Sequence, residues 1–391
     1  MNYSFANRVN TLQPSVIREI LKYSSVPGMI SFAAGNPAPE AFPTDEIAAI
    51  SAKIYAERPI DALQYSVTEG YTPLREAIRE RYSYLFGDND QVLITTGAQQ
   101  VMELATKSLC NEGDVIICEA PTFIGSLNAF RSYNTRLVGV PMENDGMELN
   151  ALEEALKAND NVRFIYCIPN FQNPSGIVTS LEKRMGIYAL AKKYDVMILE
   201  DNPYGETRYE GEEIPSIKSM DTDCRVIYAG TFSKVISPGL RVGFAIAPAQ
   251  VITKMTVCKQ VSDVHTGIYN QMIVHQFMTG DTYDAHLAHI KEVYRKKSNL
   301  MTSLIDLELA PRVSYIRPQG GLFIWCTLPE QVDMLAFAKE AVNRKVAVVP
   351  GNAFLVDEAQ PCDCIRLNFS TPTDEQIEQG MKILGELLSE Y

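Results

Sequence analysis

The sequence predicts an α/β protein, with a large domain on a mainly parallel seven-stranded sheet flanked by helices and a smaller α+β domain after it. Three observations predict this. From about residue 90, short apolar runs alternate with longer helical patterns, the grammar of βαβ units. After about residue 280 that grammar stops, and a long charged helix pattern leads into strand, helix and strand-like runs. The chain has 391 residues, 46% of them hydrophobic, which is ample for a large core.

In chain order, "PSVIREILKYS" (14–24) is a helix candidate, and "SFAAGNPAPEAFP" (31–43) carries too much Gly and Pro to continue it. This opening segment, 1–44, is expected to pack near the small domain. The large domain, 45–280, contains seven strand candidates: "QVLITTG", "DVIICEAP", "TRLVGVPM", "VRFIYCIPN", "VMILEDNPY", "RVIYAGTFSK" and "RVGFAIAP". Gly97 ends the first and opens the helix "AQQVMELATKSLC", whose Val101, Leu104, Ala105, Ser108 and Leu109 fall near one face. The last domain, 281–391, runs through "YDAHLAHIKEVYRKKSNLMTSLI", "GGLFIWCTLP", "VAVVPG" and "CIRLNFS".

Composition narrows the function classes. A formal charge of −13 disfavours a phosphate-backbone partner, which calls for a clustered basic face. No run approaches the ~20 apolar residues of a membrane span, and the opening residues lack a basic and apolar secretory signal, so a cytoplasmic location is expected. Eight cysteines are scattered through a chain too long to need a disulfide framework. Their one tight pair, Cys362 and Cys364, has no second pair or histidines at zinc spacing, so no metal is expected. His286 and His289, three apart on a helix pattern, read as surface residues.

The chemistry gathers around Lys234 in "GTFSKVISPGLRVGF". Thr231 and Ser233 offer hydroxyls and Arg241 a guanidinium, together suited to a phosphate beside an amine. An amine next to a phosphate points to an aldehyde on a phosphorylated cofactor. Asp201 and Tyr204 follow an apolar strand in "LEDNPYGE", where an α/β sheet collects its ligands. A carboxylate there can pair with a ring nitrogen, and a phenol with a ring oxygen. The residue after Asn173 is Pro174, which biases Asn173 away from helix. The amides of Ala98 and Gln99 open a helix and form an anion site. Each of these residues also has an ordinary structural use: Asp201 as a cap, Asn-Pro as a turn, and the strand-to-helix junction with nothing bound.

The ordered set "LQYSVTEGY", "TTGAQQ", "EAPTF", "IPNFQNPSG", "EDNPYGE", "TFSKVISPGLRVGF" and "CIRLNFS" resembles the fold-type I aminotransferases that depend on pyridoxal 5′-phosphate. With "PSVIREILKYS" and "ISFAAGNPAPEAFP", the chain is most similar to the 2-aminoadipate and kynurenine branch, in which a mobile N-terminal helix helps close the substrate pocket. The resemblance implies that Lys234 is the Schiff-base lysine and proton carrier. It implies that Asp201 partners the pyridinium, that Asn173 and Tyr204 bond the ring hydroxyl, and that Phe123 stacks on the ring. Thr231, Ser233, Arg241 and the Ala98 and Gln99 amides would form the phosphate cup. Tyr65 would reach the phosphate of a neighbouring subunit, which implies a homodimer with shared sites.

For the substrate, the resemblance implies Arg366 and Asn173 at the α-carboxylate, Gly35 as a backbone contact, and Arg18 at a distal acidic group. Ala98 stands where many relatives carry Ser, which removes one hydroxyl from the cup. The expected activity is ping-pong amino transfer between an amino acid and a 2-oxo acid. Glutamate and 2-oxoglutarate would form one pair, with 2-aminoadipate, an aromatic or a branched aliphatic amino acid in the other. A lyase or decarboxylase on the same fold is the alternative, since one cofactor supports several bond cleavages; the two carboxylate-suited arginines favour transfer. An aminotransferase-like regulator would need a basic DNA-binding module that this acidic sequence does not display.

Overall fold

The computed structural model describes residues 3–10, Leu12 and residues 27–391. The helix expected over 14–24, and Arg18 with it, lie outside the described residues. The described residues form these strands in chain order: β1 (Ile30–Ser31), β2 (Asp90–Thr95), β3 (Val115–Ala120), β4 (Arg136–Glu143), β5 (Gly146–Met147), β6 (Val162–Cys167) and β7 (Met197–Asp201); then β8 (Val226–Thr231), β9 (Gly243–Pro248), β10 (Ser314–Tyr315), β11 (Phe323–Thr327), β12 (Val346–Ala347), β13 (Val349–Pro350) and β14 (Cys364–Asn368).

The large sheet has the order β2-β9-β8-β7-β6-β3-β4-β5. Strands β8, β7, β6, β3 and β4 run parallel, and β9 is antiparallel to both β8 and β2. All seven expected strands are present. The eighth, β5, is a two-residue edge pairing with the end of β4; two residues after a tight turn leave no alternation to read. Central strands are buried on both faces, which is why they read as continuous apolar runs.

One face packs on the helix Ala98–Leu109 and the long helix Tyr283–Glu308, and the other on the helices Leu149–Ala158 and Leu181–Lys193. Val101, Leu104 and Ala105 are fully buried, as the spacing of that helix requires. The second sheet, β10-β11-β14-β13, is antiparallel and carries the helices Met334–Asn343 and Asp374–Leu388. Thr373 and Gln376 cap the last of these reciprocally. Residues 30–33 add to this side: β1 pairs with β12, and the Asn368 amide donates to the Phe32 carbonyl at 2.8 Å. Among the described residues no helix is long and apolar enough to cross a membrane.

Candidate active site

Parallel strands all deliver their C-terminal ends to one edge of a sheet, and here those ends line a cavity of about 290 Å³. β7 brings Asp201, with Tyr204 in the turn behind it, and β8 brings Thr231 and then Ser233 and Lys234. The loop after β6 brings Asn173, and the turn after β3 brings Phe123. The turn after β2 brings Ala98 and Gln99, and Arg366 enters from β14.

At one end of the cavity, small residues and donors surround a cradle. A Cβ on Gly97, which has φ +76°, would lie 2.6 Å from Arg241 Nη2, and one on Gly243 would lie 2.8 Å from the Ala98 nitrogen. The helix starting at Ala98 has no side-chain cap and no acidic residue in its first turn, so its open N–H groups favour an anion. The Thr231 hydroxyl donates to Ser233 Oγ at 2.9 Å, and Arg241 Nη2 donates to the Thr96 carbonyl at 3.1 Å. A clamp anchored on buried Lys259 fixes this turn from behind. Lys259 donates to Gln100 Oε1 at 2.6 Å and pairs with Asp263 at 2.9 Å. Asp263 in turn accepts from Thr96 Oγ1 and Gln100 Nε2.

Deeper in, Asp201 is buried and accepts the Tyr166 hydroxyl on Oδ2 at 2.8 Å; Tyr166 accepts from Ser126 Oγ at 2.7 Å. Oδ1 is buried with no partner. Burial pushes this carboxyl up to about 7, although the Tyr166 bond pulls the other way. An orphaned carboxylate oxygen is costly, so the position calls for an N–H donor, best a cationic one.

Across the cavity the Lys234 amine donates to the Gly35 carbonyl at 2.6 Å. Burial, then the charges of Arg366 and Arg241, bring it down to about 8, so a sizeable fraction is neutral and nucleophilic near neutral pH. Arg366 is buried, with its guanidinium 4.1 Å from the Phe323 ring centroid and 4.9 Å from that of Phe354. It donates to Asn173 Oδ1 at 2.9 Å and to the Ala33 carbonyl at 2.7 Å, while its Nε has no partner. Among the described residues no carboxylate pairs with it, and burial brings it down to about 10. Asn173 Nδ2 also reaches the Tyr204 hydroxyl at 3.4 Å.

Twelve of the fourteen residues singled out in the sequence thus line one cavity. Tyr65 does not reach it within its own chain: it is 82% exposed and meets His265 edge-on. Arg18 lies outside the described residues. His286 departs from the surface reading, being half-buried with its Nε2 donating to the Val235 carbonyl at 2.7 Å, directly behind Lys234. Cys362, Asp363 and Cys364 bring three donor atoms within 4.8 Å of one another, one fewer than a closed tetrahedral site uses. The sequence reading missed Tyr166 and Phe323. Both stand inside apolar strands, where an aromatic residue reads as core, and no local signal separates them from it.

The family model for "Aminotransferase class I and II" matches residues 27–384. The chain belongs to that family. It is 38% identical to aromatic-amino-acid aminotransferase 1 of Thermococcus litoralis, over 99% of this chain and 94% of that one. The kynurenine aminotransferase of Pyrococcus horikoshii, solved in complex with PMP, superposes with a TM-score of 0.94 at 34% identity, covering 99% of this chain and 97% of that one. The α-aminoadipate aminotransferase LysN of Thermus thermophilus, solved with N-(5′-phosphopyridoxyl)-L-leucine, superposes with a TM-score of 0.90 at 38% identity, with the same coverage of both chains.

The protein is therefore a fold-type I aminotransferase, and its cofactor is pyridoxal phosphate. The residues present fit that group. The cradle at Gly97 and Gly243 leaves room for a phosphate among N–H, hydroxyl and guanidinium donors, and the orphaned Asp201 Oδ1 lacks only the donor that a protonated ring nitrogen provides.

Proposed function

We propose that this aminotransferase exchanges nitrogen between glutamate or 2-oxoglutarate and a second pair, formed by 2-aminoadipate, an aromatic or a branched aliphatic amino acid and its 2-oxo acid. One observation carries the reading: a single cavity holds an amine of depressed pKa, Lys234, opposite a buried guanidinium with no carboxylate of its own, Arg366. That pairing suits a ligand bearing an amino group and a carboxylate on one carbon. Pyridoxal phosphate, when bound, supplies the carbonyl that accepts the amine and a ring that takes up the electrons released at Cα.

The chain's own residues do the rest. Lys234 anchors the cofactor and afterwards moves the proton to and from the substrate's Cα. Asp201 holds the ring nitrogen protonated, while Asn173 and Tyr204 bond the ring hydroxyl and Phe123 covers the ring face. Ala98, Gln99, Thr231, Ser233 and Arg241 hold the phosphate, joined by Tyr65 of the partner subunit in a homodimer. Arg366, steadied by Asn173, takes the α-carboxylate beside Gly35. Arg18 takes the distal acid of 2-aminoadipate or glutamate.

The test is the visible absorbance of the cofactor-loaded protein before and after addition of glutamate, 2-aminoadipate, kynurenine or leucine, each alone. Conversion to the amine form of the cofactor by a donor supports transfer and ranks the donors. A loaded protein that none of them converts would move the reading to elimination or decarboxylation. Arg18→Ala should weaken 2-aminoadipate more than leucine; equal losses would remove Arg18 from substrate recognition.

A further inference from the structure

Behind the active site lies a second cavity, of about 550 Å³, which shares Pro203 and Thr231 as a common wall with the first. Its charges are unevenly paired. Arg81 is paired with Glu206 at 3.1 Å and Asp284 at 3.2 Å. Arg208 is not paired: only 8% exposed, it makes two long bonds, to the Glu210 carbonyl at 3.3 Å and Gln319 Oε1 at 3.4 Å, and lies 4.7 Å from the Phe171 ring centroid. Glu213 attracts it, Arg184 repels it, and burial lowers its pKa. Lys291, half-buried on the long helix Tyr283–Glu308, has no ion pair or hydrogen bond among the described residues.

A buried guanidinium without a carboxylate is costly to the fold, and a nearby unpaired ammonium adds to that cost. The cavity also holds a spare donor. Asn170 donates to Asn202 Oδ1 at 3.0 Å, and Asn202 donates to the Tyr228 hydroxyl at 2.8 Å, which leaves the Tyr228 proton free. Val235, Phe244, Leu287 and the Tyr82 ring supply an apolar stretch of the wall, beside Ser216, Ser219, Glu206 and Glu213.

We propose that this cavity binds a small carboxylic acid with an apolar or aromatic body, its carboxylate held by Arg208, Lys291 and the Tyr228 hydroxyl. A single guanidinium fork suits one carboxylate, and Glu206 and Glu213 in the same lining weigh more against a dianionic phosphate than against a single carboxylate. The volume is that of an ordinary small-molecule site. The occupant would press on Asn202 and Gly230, each next to a strand-end residue of the active site, Asp201 and Thr231, so binding would be felt there. The site stands independently of the donor assignment, because its test reads binding and not turnover.

The experiment is calorimetric titration of the cofactor-loaded Arg366→Gln protein, whose substrate carboxylate site is removed, with 3-phenylpropanoate and separately with inorganic phosphate. One binding site for 3-phenylpropanoate is expected, weakened about tenfold or more by adding Arg208→Gln and about threefold by adding Lys291→Gln. Lys291 lies on a helix face where replacement does not threaten folding. In the otherwise wild-type holoenzyme the same titration should show two sites, one of them weakened by Lys291→Gln alone. No binding, or equal binding with and without Arg208 and Lys291, overturns the proposal. Phosphate binding more tightly than 3-phenylpropanoate overturns the carboxylate assignment.

Discussion

Around Asp201, Thr231 and Ala98 the active site consists of strand ends from one sheet, with a clamp between buried Lys259 and Asp263 behind it. Arg366 reaches the same cavity from the other sheet, and is steadied by Asn173 from the loop after β6 and by the Ala33 carbonyl from the opening segment. The first half is held by a framework that is continuous through its backbone ladders. The second exists only while three distant stretches of chain meet. A framework of the first kind suits a cofactor that never changes, and one of the second kind suits substrates that do. Loss of chemistry and loss of recognition should therefore separate by position.

The largest break should come from Lys234→Ala. Among the described residues no other amine lines the cavity, so turnover should fall by roughly 10⁴-fold or more, with the fold retained and the visible absorbance of the lysine-bound cofactor lost. Turnover near that of the wild type would remove Lys234 from the chemistry.

Arg366→Lys tests the substrate half. An ammonium keeps the charge but loses the fork and the stacking on Phe323 and Phe354. KM for amino acids should rise about 10- to 100-fold, with cofactor affinity nearly unchanged. Cofactor loss equal to substrate loss would mean that the two halves are one unit.

The contrast between the halves also decides what could be read from the sequence. Of the residues proposed to hold the cofactor, those after an apolar strand in a short polar or Gly/Pro motif were legible directly: "EDNPYG" after β7, "TFSK" after β8, "TTGAQQ" after β2. Arg366 was legible only through the resemblance that "CIRLNFS" carries, and its partner Ala33 was not, because a carbonyl has no sequence signature and the two are 333 positions apart. Tyr166 was hidden for another reason. "VRFIYC" alternates with nothing polar, so its one functional hydroxyl looks like core until β6 is placed beside β7. His286 was misplaced as a surface residue because helical spacing alone does not say that the carbonyl of Val235 lies against that face.

Tyr166→Phe sharpens the first half at lower cost. It removes the only donor to Asp201 among the described residues and should push that carboxyl higher, so that it pairs less well with a ring nitrogen. The expected loss is about 3- to 10-fold in cofactor affinity, that of one buried hydrogen bond, with KM for amino acids little changed. A change in KM alone would mean that Tyr166 acts on the substrate side.

The smallest effect concerns stability and pH. Burial raises both Asp201 and Glu119 to about 7 in the folded chain without cofactor, from ordinary values near 4. Folding thus favours their protonated forms. Their contribution is fully present below the unfolded values and is lost as pH rises through about 7. The cofactor-free protein should accordingly lose melting temperature between about pH 5 and pH 7.5. A bound cofactor that donates a cationic N–H to Asp201 relieves one of the two carboxylates, since Glu119 already has donors in the Ile168 amide and Gln172. The gap in melting temperature between loaded and cofactor-free protein should therefore widen as pH rises through this window. In Asp201→Asn, which has no charge to relieve, most of that widening should disappear. A gap that widens equally in Asp201→Asn would assign the effect to Lys234, whose amine, lowered to about 8, must also lose its proton when the cofactor is captured.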